Sequence, residues 1–445
     1  MIERLLELAR SRSEGADAIA RRTERTSVEF EAGRLKAAGV SEESGAGLRV
    51  VRGGRVGIAG STADDPAGLL DRALASAELG EQVPLGWPGP SASPQVATHD
   101  RAAARAGLDV LRDIARGVVE RLTRDGCQVN VTIERAAGET AVANTAGAHA
   151  RYDETAVVVA ADVRRIAGDD VLMVYDQYAA VGLPGATDLD ALVASITARL
   201  EAALTIVEPP AGALPVVFTP SGLGAILLPF EQALSGKAVL QGVSPLGARM
   251  GERVVDAAFS LIDDPLVAGR PASRPVDDEG VVSHRLALIE RGVVRAFIYD
   301  LETAARAGVA TTGHGRRSIF GKPHADYSNL LVSPPNRGPE PRGPGRQDGT
   351  LGGGLTTAIT DGLVVDDLIG VGQGNVMGGA FSHPVALAYR VQHGEITGRV
   401  KDAAVAGNVY ELLKTIGGWG NDGRWTGSRW AASLLLEGVS VASRS

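Results

Sequence analysis

Residues 214–236 read LPVVFTPSGLGAILLPFEQALSG. The run LPVVF is apolar and β-branched, and it gives way at Thr219-Pro220 to apolar residues at helical spacing. A threonine followed by proline is a helix-start signal, and Gly236 is a stop signal. The stretch therefore predicts a buried strand running into a helix that ends near Gly236. Residues 209–230 carry no charge, yet Pro209, Pro210, Pro215, Pro220 and Pro229 break any continuous membrane helix. The predicted helix has an apolar lead-in, a glutamate, a gap before Ser235 and a closing glycine. That is the layout of a peptidase zinc helix, but no histidine occurs between His149 and His284.

Upstream, TSVEFEAGRLKAAGVSEESGAGLRVVRGGRVGIAGST alternates in period two, and Gly53-Gly54 sits where a hairpin turn belongs. A helix follows over about Asp65 to Leu79, with Asp65 as cap and Pro66 in the first turn. QVPLGWPGPSASPQ reads as a linker by composition. A second region opens with an amphipathic helix over roughly Asp100 to Arg124, continues with the strands CQVNVTIERAA and ETAVVVAADVRR, and closes with the helix DLDALVASITARLEAAL. Both regions mix helices with an antiparallel meander, and duplication stays open. The expected organisation is an N-terminal α+β region over 1–82, a second α+β region over 95–208, and a C-terminal domain over 212–445 with a mobile loop at 333–354. The fold class is α+β, with meander regions followed by a mainly antiparallel, sheet-rich C-terminal domain. A helix is expected at AGNVYELLKTI.

Composition bounds the function. With 445 residues and a net charge of −8, the chain is long enough for two or three domains and too acidic overall to grip nucleic acid through its phosphates. Its single cysteine, Cys127, forms no intrachain disulfide and no CxxC zinc site; it reads as a buried small hydrophobe, and a reducing cytoplasm is the expected compartment. The first residues, MIERLLELARSRSEGADAIARR, alternate charged and apolar residues at helical spacing, which predicts a first helix, and lack the uninterrupted apolar core of a secretory signal. No GxSxG elbow, Walker A loop or dinucleotide fingerprint is present.

Six motifs occur in order: TSVEFEAGRLKAAGVSEESGAGLRVV, LSGKAVLQGVSPLGARMGERVV, PVDDEGVVSHRLALIERGVVRAFIYD, TGHGRR, GGAFSHPV and AGNVYELL. Together they resemble the TldD/PmbA (TldD/TldE) family of peptidase subunits over about residues 18–442. In that family the active subunit carries HExxxH, whose histidines, with a downstream cysteine, hold zinc while the glutamate acts as general base. Laid on that motif, Phe230 and Ser235 stand at the histidine positions and Glu231 at the glutamate, and no cysteine follows Cys127. The chain thus resembles the TldE/PmbA-type subunit, which lacks the metal motif.

The resemblance implies a non-catalytic subunit with no metal of its own. Its expected partner is a TldD-like, zinc-bearing paralogue, with self-pairing when that is absent, and its expected substrates are unfolded or leader peptides. The family's old label, modulator of DNA gyrase, keeps a binding protein for a gyrase-related target as an alternative. A self-contained metallopeptidase with a relocated metal site is another. Glu231 then reads as a helix-surface or helix-end hydrogen bonder. His314, His324, His383 and His393 are the histidines left for a relocated metal site, and their spacings match no compact ligand motif. His314, Arg316, Arg317 and Lys322 are candidates for contact with peptide carboxylates or a partner, beside the plainer reading of a solvated loop or internal salt bridges. Asp277, Asp278 and Glu279 read as a turn before a strand.

Overall fold

The computed structural model describes residues 1–332 and 351–443. The N-terminal half is one antiparallel sheet with helices along it. Helix α1 (Ile2–Arg10) precedes the strands β1 (Gly15–Glu31), β2 (Arg34–Arg52) and β3 (Arg55–Ser61), and helix α2 (Pro66–Glu78) follows them. After α3 (Arg101–Arg105), helix α4 (Leu108–Leu122) precedes β4 (Cys127–Asn144), β5 (His149–Ala167) and β6 (Asp170–Ala180), and α5 (Ala186–Ala202) closes the half. The strand order is β3-β2-β1-β4-β5-β6. Two helix–meander–helix units thus meet edge to edge at β1 and β4, so the regions 1–82 and 95–208 share a sheet.

Local chemistry accounts for most element ends. Gly53 and Gly54 have φ of 58° and 71°, which a two-residue hairpin turn of this hand requires. Asp65 caps α2 by accepting from the Gly68 amide at 2.9 Å. The long helix expected over 100–124 is instead two: Ala106 and Gly107 are extended, and Gly107 starts α4. Glycine has no side chain to hold the helix and gains backbone entropy by leaving it. The chain also turns extended earlier than expected, since α1 stops at Arg10 and β1 begins at Gly15. Cys127 is only half-buried, at the start of β4, and not inside the strand as expected. The proline-rich stretch after Gln82 has no helix or strand, but Val83, Leu85 and Trp87 pack against Val51 and Val56, which ties it down.

The C-terminal body is built of strands. Five of them, Gly212–Phe218, Leu434–Ser443, Ala403–Asn408, Ala380–Gln392 and Asp361–Leu368, pair in a ring that closes between the last two. A second, smaller sheet centres on Leu261–Asp263 and Leu330–Val332. The strand Gly212–Phe218 leads through a turn into α6 (Gly224–Ala233), as the sequence predicts, and α7 (Gly236–Leu240) follows. AGNVYELLKTI yields one helical turn, Val409–Leu412. The loop expected at 333–354 lies outside the described residues up to 350; from 351, Gly352 and Gly353 are buried and Leu351 packs on the core.

The two halves meet at seams rich in buried charge. In one, Arg49 of β2 donates to both oxygens of Asp17 on β1 at 3.0 Å and lies 2.7 Å from Glu279 of the C-terminal body. Glycines let the backbones approach there: a Cβ on Gly47 or Gly60 would stand 2.5 or 2.3 Å from the Ile319 carbonyl oxygen. In the other, Arg199 of α5 bridges Asp176 of β6 and Asp366, each at 2.9 Å, while Arg424 reaches Asp176 at 2.6 Å and Ser221 at 2.9 Å.

Burial alone would raise the Asp176 carboxyl, but Arg424 and Arg199 hold it down to about 2. An unfolded aspartate titrates near 3.9, so the folded value is the lower one. The associated stability is present above about pH 4 and is lost as pH falls through about 2. We expect urea titrations to show roughly 2 kcal/mol less stability from this group across that window, and Asp176→Asn to flatten the corresponding part of the pH profile.

Candidate functional site

The side chains of α6 decide what its neighbourhood can do. Phe230 is fully buried, its ring 5.5 Å from Phe259 and 5.1 Å, edge on, from Tyr410. Such aromatic contacts are apolar and offer no lone pair to a cation. Glu231 takes a two-pronged grip from Arg429, with Nε at 2.7 Å from Oε1 and Nη2 at 2.9 Å from Oε2. Its backbone carbonyl accepts from the Tyr327 hydroxyl at 2.7 Å. The charge of Glu231 is therefore engaged by a guanidinium and not directed at a water. The partner of this helix carboxylate is thus a specific one, Arg429.

Ser235 lies between the helices and starts α7. The helix expected to stop at Gly236 ends at Ala233, and Gly236 opens the next one. Its lack of a side chain serves packing: a Cβ there would fall 2.2 Å from the Tyr299 ring and 2.8 Å from the Ile298 carbonyl oxygen.

On its other face α6 borders a cavity of about 240 Å³. Leu228 and Pro229 form one wall, the glycine-punctuated loop 369–376 the second, and residues 380–384, including His383, the third. His383 stacks on Phe381 with ring centroids 5.9 Å apart, and burial lowers its pKa.

The other singled-out residues lie elsewhere. His314 is buried in the smaller sheet region, with Nδ1 2.7 Å from the Thr312 carbonyl oxygen and Nε2 3.1 Å from Asp263. Arg317 is buried and 3.1 Å from Asp17, Arg316 is 3.5 Å from Asp278, and Lys322 is 2.9 Å from Glu302. All four thus pair within the chain. His314 and Arg317 are sealed from solvent, which corrects the expectation that they contact substrate; Arg316 and Lys322 keep an exposed side. Asp277, Asp278 and Glu279 do form a turn, but a wholly buried one facing arginines. His324 sits on a two-residue strand and His393 in a hairpin turn. Among the described residues no group of three or more His, Cys, Asp or Glu is placed to hold a metal ion, and no helix is long and apolar enough to cross a membrane. Phenylalanine, serine and an arginine-bound glutamate do not fit zinc at the α6 positions. Sequence reading missed Arg429, Tyr327 and Tyr410, which lie far along the chain from α6 and carry no local signal of contact with it.

Fold and site together define an α+β architecture in which α6 carries a buried Phe230 and an arginine-paired Glu231. A model described as the PmbA/TldA metallopeptidase C-terminal domain matches residues 211–443, more than half the chain, and one for domain 1 of the same metallopeptidases matches 16–77. The chain belongs to the PmbA/TldD family. A metalloprotease of Methanothermobacter thermautotrophicus is 27% identical over 428 residues, 93% of this chain and 89% of the relative. A metalloprotease PmbA homolog of Haemophilus influenzae is 27% identical over 232 residues, but that match spans only 46% of the relative. The fold matches TldE from Thermococcus kodakarensis with a TM-score of 0.87 at 21% identity, covering 99% of both chains. It also matches a Thermotoga maritima protein described as a candidate modulator of a DNA gyrase, with a TM-score of 0.86 at 22% identity and 99% coverage of both chains.

The Glu231–Arg429 pair is half shielded from solvent and geometrically well matched. Glu231→Gln and Arg429→Gln should each lower stability by about 1–3 kcal/mol in urea unfolding, and the double variant should lose less than the sum. Strictly additive losses would show that the two side chains are not coupled.

Proposed function

We propose that this chain is the non-catalytic, TldE/PmbA-like subunit of a two-subunit zinc metallopeptidase that acts on unfolded or leader peptides in the cytoplasm. The zinc belongs to a TldD-like paralogue. The observation that carries this reading is the chemistry of α6: Phe230, which the resemblance lays at a ligand position, packs in an aromatic cluster, and Arg429 pairs with Glu231, the carboxylate that would be the base. A general base needs an activated water within reach, and nothing at this helix supplies one.

The groove beside α6 supports a role in holding peptide. Ile369 donates to the Pro384 carbonyl at 2.9 Å, and strand pairing on that side stops at Leu368 and Val385. Backbone groups along a strand alternate in direction, so Ser382 and Ala380 present theirs on the same side as Pro384, where no strand among the described residues continues. An extended peptide entering the groove finds main-chain partners there, which is binding by strand addition. Arg316 and Lys322, at the surface, are offered as contacts for the partner or for peptide carboxylates.

Mixing this chain with a purified TldD-like paralogue should generate hydrolysis of an unstructured peptide that neither shows alone. A mixture that elutes as two separate species and gains no activity contradicts the reading for that pair. In the active mixture Glu231→Gln should keep activity within a few-fold, whereas loss of a working general base costs about 10² to 10⁴.

A further inference from the structure

The groove beside α6 is blind at one end. The strand Asp361–Leu368 pairs with Ala380–Gln392 as far as Leu368 opposite Val385, and the Ile369 amide closes the pairing on the Pro384 carbonyl at 2.9 Å. From there the loop 369–376 leaves the sheet. The segment 380–384 keeps the strand Ala403–Asn408 on one edge and, among the described residues, no strand on the other. A peptide laid along that second edge takes the lane that Asp361–Leu368 has vacated, and it cannot run on past Ile369. The closed end therefore receives a chain terminus.

The cavity there has a volume of about 240 Å³. Pockets that take a whole small molecule span about 300–1,000 Å³, so this one suits a single residue. Its chemistry decides which terminus enters. An amino end carries an ammonium and needs a negative counter-charge, but no aspartate or glutamate lines the cavity. Donors are available instead. Gly370, Gly372 and Gly374 have φ of 76°, 98° and 80°, and Val371 and Gln373 between them do not share that hand. Such alternation turns successive amides into a concave anion-binding arrangement. The Gln373 amide is bound to the Gly370 carbonyl at 3.1 Å, whereas the amides of Gly370, Val371, Gly372 and Gly374 meet no acceptor among the described residues. Asn375 accepts from the Gly378 amide through Oδ1 at 3.3 Å, which leaves its side-chain NH₂ as a further donor on the wall. Leu228, Pro229 and Val371 add apolar surface.

We propose that this cavity receives the C-terminal residue of a bound peptide, with its carboxylate on the loop amides and the Asn375 side chain and its apolar side chain against Leu228, Pro229 and Val371. The inference rests on the reading that the groove holds an extended peptide, and it adds that the peptide is selected by its carboxyl end.

Fluorescence anisotropy tests it with this chain alone and no paralogue, using a short unstructured peptide that ends in leucine and is labelled at its amino end. Replacing the terminal carboxylate by an amide should weaken binding by at least about tenfold, since charge-assisted hydrogen bonds are lost. An amidated peptide with an internal glutamate should bind as weakly as the amidated parent, because its carboxylate is not at the chain end. Asn375→Asp retains the acceptor for Gly378 and sets a negative charge beside the carboxylate; Val371→Glu does so at a position that is 38% exposed, so both variants should fold, as thermal melts will show. Each should weaken the free-acid peptide by at least about tenfold and the amidated one by less than about twofold. Equal binding of acid and amide overturns the inference and leaves strand addition standing. So does full affinity restored by the internal glutamate, or variants that weaken both peptides alike. A chain that binds neither peptide overturns it together with the groove reading, whereas failure of the peptidase reading shows separately, as a mixture with the paralogue that gains no activity.

Discussion

The guanidinium of Arg49 ties the two halves of this molecule into one. It is fully buried, with Asp17 on the adjacent strand, Glu279 of the C-terminal body and the ring of Trp87 4.8 Å away. Placing a cation in such a position is costly, and the cost is offset only when its partners are well placed, while removal of one partner strands the other. Glu279 is itself fixed, accepting from the Leu301 amide at 2.7 Å, and the neighbouring Asp278 accepts from the backbone amide of Arg317. Two residues before Leu301, the Tyr299 ring lies against Gly236 at the start of α7. A chain of contacts thus runs from the N-terminal sheet to the helix pair that carries the altered site.

That helix keeps its framework role while its chemistry differs from that of a zinc site. A ligand histidine must leave one nitrogen free and point toward a shared centre. Phe230 instead fills volume between Phe259 and Tyr410, and burying an aromatic ring is favourable where burying an unliganded imidazole would leave polar atoms unmet. Arg429 serves Glu231 in the same way, by giving a carboxylate a charge partner other than a metal. The cavity beside α6 is lined by Leu228 and Pro229 and not by Phe230, Glu231 or Ser235.

Much of this was legible in the sequence because it is written in local periodicity. The alternation through residues 26–61, the Gly53-Gly54 turn, the Asp65 cap and the strand-to-helix passage at Thr219 all rest on near neighbours in the chain. What the sequence concealed is long-range pairing. Arg49 and Glu279, Glu231 and Arg429, and Arg199 and Asp366 are far apart along the chain, and a charged residue looks the same whether it meets water or a buried partner. For that reason TGHGRR left substrate contact open beside the plainer reading of a solvated loop or internal pair, and only the fold places Arg317 inside. The break at Gly107 was visible as a glycine but outweighed by the amphipathic pattern around it. The shared sheet was hidden because nothing local states that β1 pairs with β4.

The account turns on α6 being a structural helix and not a metal site. The most direct measurement is metal analysis of the purified chain after dialysis against a weak chelator, with its fold verified by circular dichroism. Phenylalanine and serine at the ligand positions and the absence of cysteine beyond Cys127 predict well below one equivalent of zinc per chain and no change in melting temperature when zinc is added. One tightly held equivalent of zinc, with a melting temperature that rises on zinc addition, would contradict it.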